Sequence, residues 1–118
     1  MYSRKLMIFV PESSVNDIRL LWNEIDNLNP NKYLIILHNK NVSPHYHIYL
    51  HFKQPISTDY ISKKLFIGFA DFIVNANVDE YVAAKYFLQL DRPSEYQYHL
   101  WDLRTNIDLR SLANKLCI

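Results

Sequence analysis

The chain has five histidines, four of them between positions 38 and 51. In Pro44-His45-Tyr46-His47-Ile48-Tyr49-Leu50-His51-Phe52 apolar and hydrogen-bonding side chains alternate. On a β-strand such alternation puts His45, His47, Tyr49 and His51 on one face and Tyr46, Ile48, Leu50 and Phe52 on the other. Strand positions two apart have Cα atoms roughly 6.5–7 Å apart, a span from which two imidazoles can converge on one cation. His38 follows the apolar run Tyr33-Leu34-Ile35-Ile36-Leu37 and can supply a third nitrogen if that strand pairs beside the histidine strand. The competing reading is a solvated sheet face whose histidines bond to their neighbours. A closed zinc centre fits less well, because such centres are rich in thiolate and the only cysteine is Cys117. An open site of imidazole and oxygen ligands suits catalysis by Mn²⁺ or Mg²⁺ better.

Tyrosine is the other reactive type, with nine in the chain. A phenol is a nucleophile once it loses its proton, but buried packing is the ordinary use of tyrosine, so residue type alone singles out none. Tyr81 and Tyr86 are five positions apart on one expected helix, about 140° around its axis. They cannot face one site equally. Tyr60, Tyr96 and Tyr98 are candidates for stacking on unpaired bases, but core packing is the favoured reading for most of them.

These residues need elements to position them. Residues 4–10 form an apolar strand, and Ser13-Ser14 after Pro11-Glu12 can cap a helix whose apolar face is Val15, Ile18, Leu21, Trp22, Ile25 and Leu28. Asn29-Pro30-Asn31 ends it, and residues 33–37 suit a buried central strand. The histidine strand runs from His45 to Phe52; Pro55 and Ser57-Thr58 mark the turn into a second helix with Tyr60, Ile61 and Leu65. Gly68, the only glycine, precedes a fourth strand around Phe69–Ala76. Asp79-Glu80 starts a third helix through about Leu90. An extended piece at Tyr96–Leu100 and a helix around Asp108–Leu116 complete the chain. The order strand-helix-strand-strand-helix-strand predicts an α+β fold: a ferredoxin-like antiparallel sheet (βαββαβ) with additional C-terminal helices, in a single domain of residues 1–118. That fold hosts many activities and decides none.

Composition sets limits. A 49% hydrophobic share over 118 residues is enough for a core without disulfide or metal staples. The lone cysteine excludes an intramolecular disulfide and makes a reducing, cytoplasmic compartment the expectation. The longest N-terminal apolar run, Leu6-Met7-Ile8-Phe9-Val10, is too short for a membrane span or a signal-peptide core, so no membrane association is expected. With 13 Lys+Arg against 12 Asp+Glu there is no global basic field. Affinity for a polyanion must then come from a local grouping drawn from Arg4, Lys5, Lys53, Lys63, Lys64, Lys85 and Arg92.

His45-Tyr46-His47 resembles the motif of the HUH endonucleases, in which two histidines around a hydrophobic residue hold the metal for nicking single-stranded DNA. The chain further resembles the replication initiators of small rolling-circle plasmids of Gram-positive bacteria. That resemblance spans nearly its whole length: Phe9-Val10-Pro11-Glu12-Ser13, Leu37-His38-Asn39-Lys40-Asn41, His45-Tyr46-His47, and Lys85-Tyr86-Phe87-Leu88-Gln89-Leu90-Asp91-Arg92-Pro93 leading to Tyr96-Gln97-Tyr98. It implies a metal site of His38, Asn41, His45 and His47 for Mn²⁺ or Mg²⁺, with Asn41 where relatives have an aspartate. It implies Tyr86 as nucleophile, and Gln89 stands where some relatives have a histidine. The implied activity is site-specific nicking and rejoining of origin DNA through a 5′-phosphotyrosine, initiating rolling-circle replication. Lys85, Gln89, Lys53 and Arg92 are the expected DNA contacts. Such initiators often carry an oligomerisation domain, for which 118 residues leave no room, so a homo-oligomer is expected only of a longer form. The alternative is a non-catalytic origin-binding or regulatory module of the same fold. A transposase or conjugative relaxase of the same superfamily is an outlying reading. An RNA-binding ferredoxin-like domain fits less well, because the histidine face lacks the aromatic pattern such sheets use.

Overall fold

In a computed structural model, which describes residues 2–40, 42–65 and 73–118, the chain is an α+β protein built on a five-stranded antiparallel sheet of order β4-β1-β3-β2-β5. The strands are β1 (Tyr2–Pro11), β2 (Lys32–His38), β3 (His45–Ser57), β4 (Ile73–Asn75) and β5 (Arg104–Thr105). The helices are α1 (Ile18–Leu28), α2 (Thr58–Lys64), α3 (Glu80–Phe87) and α4 (Leu109–Leu116). The first four strands with α1 and α2 make the expected ferredoxin-like arrangement, and α3 and α4 are the additional helices. Asn41, Gly68 and the first part of the expected fourth strand lie outside the described residues. Among the described residues no helix is long and apolar enough to cross a membrane.

The alternation read along the histidine strand separates two cores. Tyr46, Ile48, Leu50 and Phe52 pack with Leu6, Ile8 and Val10 of β1 and with Leu21 and Ile25 of α1 and Ile61 of α2. On the opposite face Leu34, Ile36 and Tyr49 pack against Ala83, Ala84 and Phe87 of α3 and Leu112 of α4. The histidine face is therefore covered rather than solvated. The small side chains of Ala83 and Ala84, both fully buried, let α3 lie close to the sheet.

Several boundaries differ from expectation. Helix α1 begins at Ile18, capped by Asp17, whose carboxylate accepts from the Arg19 amide. Ser13 and Ser14 fall in a preceding 3-10 turn. The histidine strand continues through Pro55 to Ser57. Pro55 has no amide to donate to a ladder, and it is accommodated because the β1–β3 register jumps from Lys5↔His51 to Ser3↔Ile56, a bulge that leaves it unpaired. Ser57 then caps α2 by accepting from the Tyr60 amide. Helix α3 stops at Phe87 instead of Leu90 because Gln89 turns left-handed (φ 60°). The Leu90 amide reaches back to the Lys85 carbonyl and the Gln89 amide to that of Tyr86, closing the helix with a Schellman turn. The expected extended piece near Tyr96–Leu100 is no strand; a 3-10 turn over Leu100–Asp102 leads into β5.

Candidate functional site

Strand pairing brings the histidines together. His38 sits directly opposite His45 in the β2–β3 ladder, and His47 lies two positions along, opposite Ile36. One potential ligand nitrogen from each of His38, His45 and His47 falls within 4.8 Å of the other two. His38 and His47 are buried, and His45 is half-buried at the rim.

Hydrogen bonds decide which nitrogens are available. The His38 Nε2–H donates to the Phe87 carbonyl at 2.6 Å, and the His45 Nδ1–H donates to the Ser43 carbonyl at 2.8 Å. A carbonyl only accepts, so both tautomers are set, leaving Nδ1 of His38 and Nε2 of His45 as lone-pair donors. Metal-binding histidines commonly tie off the second nitrogen in this way. Both ring nitrogens of His47 are buried without a hydrogen-bond partner. Buried polar atoms are seldom left so. Burial drives the His47 imidazole far below its ordinary value, to about 3, and positive charge at His38, His45 and Arg92 adds to the effect. Burial likewise lowers His38, while the bond to Phe87 and the negative charge of Glu95 pull the other way. Three converging imidazoles, two oriented from behind and one orphaned, fit a divalent cation.

The same bond to the Phe87 carbonyl ties the end of α3 to this cluster, and with it the preceding residue, Tyr86. The Tyr86 ring is half-buried, 5.9 Å from that of His47. The Arg92 guanidinium lies 5.1 Å above the Tyr86 ring, a cation–π distance. Arg92 also reaches the Glu95 carboxylate at 3.9 Å. His38, His45, His47, Tyr86, Gln89 and Arg92 line one open cleft of about 420 Å³.

The other expected residues are placed differently. Lys85 is exposed on α3 and does not line the cleft. Lys53 is exposed in the β3 bulge, eight positions beyond His45 along the strand. The Gln89 side-chain Nε2–H donates to the Tyr96 carbonyl. Tyr81 is half-buried beneath Lys115 of α4, whose ammonium is 5.5 Å from its ring, and is not in the cleft. His51 is committed to Glu80 at 3.2 Å and fastens the start of α3 to the sheet. Burial pushes the Tyr49 phenol well up, and its hydroxyl donates to the Val78 carbonyl beside the same junction. Tyr98 is buried and stacked on His38, the core packing expected of most of these tyrosines. Of the other cleft residues, Lys40 and Tyr96 stood in the quoted motifs without an assigned place in the site, and Glu95 was passed over, its only signal being proximity to the last motif.

No family model matches the chain, and no curated protein matches it either.

Proposed function

We propose that this protein nicks and rejoins single-stranded DNA at a specific site, with Tyr86 as nucleophile and His38, His45 and His47 holding a divalent cation, to initiate rolling-circle replication at a plasmid origin. What supports this reading above all is the placing of one tyrosine beside three converging imidazoles in one open cleft. Three nitrogen donors favour Mn²⁺ over the oxygen-seeking Mg²⁺. A bound cation supplies positive charge against a non-bridging phosphate oxygen, where negative charge grows during attack.

The chain's own residues account for the rest. The phenol oxygen of Tyr86 forms a bond to phosphorus as the bond to the 3′-oxygen breaks. The proton lost by the phenol is balanced by the one gained at the departing 3′-hydroxyl. Arg92, above the Tyr86 ring, holds the ring and offers charge to the same phosphodiester. The product is a 5′-phosphotyrosine, and attack by a 3′-hydroxyl on it reverses the step and frees Tyr86. No nucleotide cofactor is needed, because the phosphoester energy is retained.

The test is incubation with labelled single-stranded origin-like oligonucleotides and Mn²⁺, followed by denaturing electrophoresis. An adduct that forms with the native protein and is lost in Tyr86→Phe and on chelation supports the reading. DNA binding with no adduct under any of these conditions would select the non-catalytic origin-binding module instead.

A further inference from the structure

Trp101 is 75% exposed, which is unusual for the side chain with most apolar surface to bury. It is not loosely held. It sits within the Leu100–Asp102 turn, which is closed at both ends: the Asp102 amide donates to the His99 carbonyl, and the His99 amide donates to the Asp102 carboxylate, both at 2.9 Å. The indole lies parallel to the His99 ring, centroids 4.5 Å apart and planes 10° from coplanar. One face is thus supported by an imidazole while most of the side chain meets solvent.

Trp101 borders a groove of about 400 Å³ together with Lys40, Tyr96, Tyr98, His99 and Asp102. Lys40 and Tyr96 also line the tyrosine cleft, so the two depressions adjoin across these side chains. Tyr98 joins them from below: its ring stacks on His38, and its hydroxyl accepts from the Asn39 and Lys40 amides at 3.0 Å each. The Lys40 ammonium, 5.9 Å from the Tyr96 ring, stands at the boundary.

We infer that this groove is a stacking subsite for an unpaired base of the strand being cut, with Trp101 as its platform and Lys40 meeting the phosphate between that base and the scissile one. The inference rests on the single-strand chemistry proposed at Tyr86. A flat, pre-ordered indole suits the planar face of a base, which duplex DNA keeps inside its own stack. The shared wall of Lys40 and Tyr96 puts that base beside the cleft that holds Tyr86, and Lys40 supplies the charge a phosphodiester requires.

Binding of a single-stranded oligothymidine tests this directly. Trp22→Phe leaves Trp101 as the only indole of the original two; it removes an N–H buried without a partner and keeps an aromatic ring beneath the Arg104 guanidinium. Saturating oligothymidine is expected to quench that protein's fluorescence, and a duplex of equal length is not. Trp101→Ala should weaken binding about tenfold with unchanged melting, and Trp101→Phe should recover most of the loss. Absent quenching, equal quenching by duplex, or oligothymidine binding by Trp101→Ala as tight as native would each overturn the inference. Adduct formation is read separately. An adduct at Tyr86 with no effect of Trp101 sinks the subsite and leaves the nickase reading, while Trp101-dependent binding without any adduct does the reverse.

Discussion

His47 is the residue on which the site turns. The residue is 6% exposed, its ring is edge-on to Phe9 at 4.8 Å, and both ring nitrogens lack partners. Folded, it takes up a proton only near its lowered value of about 3; in an unfolded chain an imidazole does so near 6.5. Between those values the unfolded chain binds the additional proton. The stability contributed by the neutral ring is therefore complete above about pH 6.5 and is lost as pH falls toward the folded value. Melting temperature of the metal-free protein should drop as pH is lowered from 7 to 5. In His47→Phe, which keeps an aromatic ring there, the drop should be shallower and calorimetric Mn²⁺ binding should vanish. An equally steep drop would show that His47 is not the source. At this scale the sequence was informative where chemistry depended on local spacing. His45 and His47 follow from strand alternation, and His38 from the strand beside it. Glu95 and Lys40 did not, because their approach to the cleft depends on how the chain turns after α3 and after β2.

Helix α3 carries the nucleophile candidate and is fixed at both ends. The Asp79 carboxylate accepts from the Tyr81 and Val82 amides at 3.0 Å, and Glu80 pairs with His51 of β3. At the other end the Phe87 carbonyl takes the His38 N–H. Asp79→Ala should cost about 1 kcal/mol in denaturant unfolding, as loss of an N-cap does, and should reduce the rate of adduct formation as the helix start loosens. An unchanged unfolding midpoint would mean that the cap contributes nothing. The helices themselves were legible from apolar periodicity, but their ends were not. Asp17 won the cap of α1 over Ser13 and Ser14 because Val15 remains extended (φ −107°, ψ 110°). The end of α3 depends on Gln89 adopting a left-handed conformation, to which no glycine pointed. The hydrogen bond from its side chain to the Tyr96 carbonyl and the Schellman pair accompany that conformation. The strand through Pro55 was hidden for a similar reason, since a bulge that admits proline is a property of the pairing with β1 and not of either strand alone.

For the whole molecule, the sheet has a core on each face, with α1 and α2 on one side and α3 and α4 on the other. The second layer converts the histidine face from an open surface into the floor of a cleft. The alternation of β3 announced two unlike faces, but what covered the second depended on long-range packing of Phe87, Leu112 and Ile107. With a net charge of +1, the attraction to DNA that the proposed function requires would be local, and Arg92 and Lys40 line the cleft. Binding to single strands should then have a shallow salt dependence. Arg92→Ala should weaken affinity similarly for all sequences and lower the log–log salt slope by about 0.7, the loss of one phosphate contact. Lys53→Ala, altering a residue outside the cleft, should leave the slope unchanged. A slope insensitive to Arg92 would place the phosphate path elsewhere.

In the proposed reaction Tyr86 becomes covalently joined to DNA. Its most direct measurement is mass spectrometry of the protein after reaction with a single-stranded origin-like oligonucleotide and Mn²⁺, nuclease trimming and tryptic digestion. Cleavage after Lys85 begins a peptide at Tyr86 that also contains Tyr96 and Tyr98, and fragmentation distinguishes the three. The expected result is a 5′-phosphonucleotide on Tyr86, absent without Mn²⁺ and absent in Tyr86→Phe. A nucleotide on Tyr81, Tyr96 or Tyr98, or an adduct that persists in Tyr86→Phe, would contradict the account.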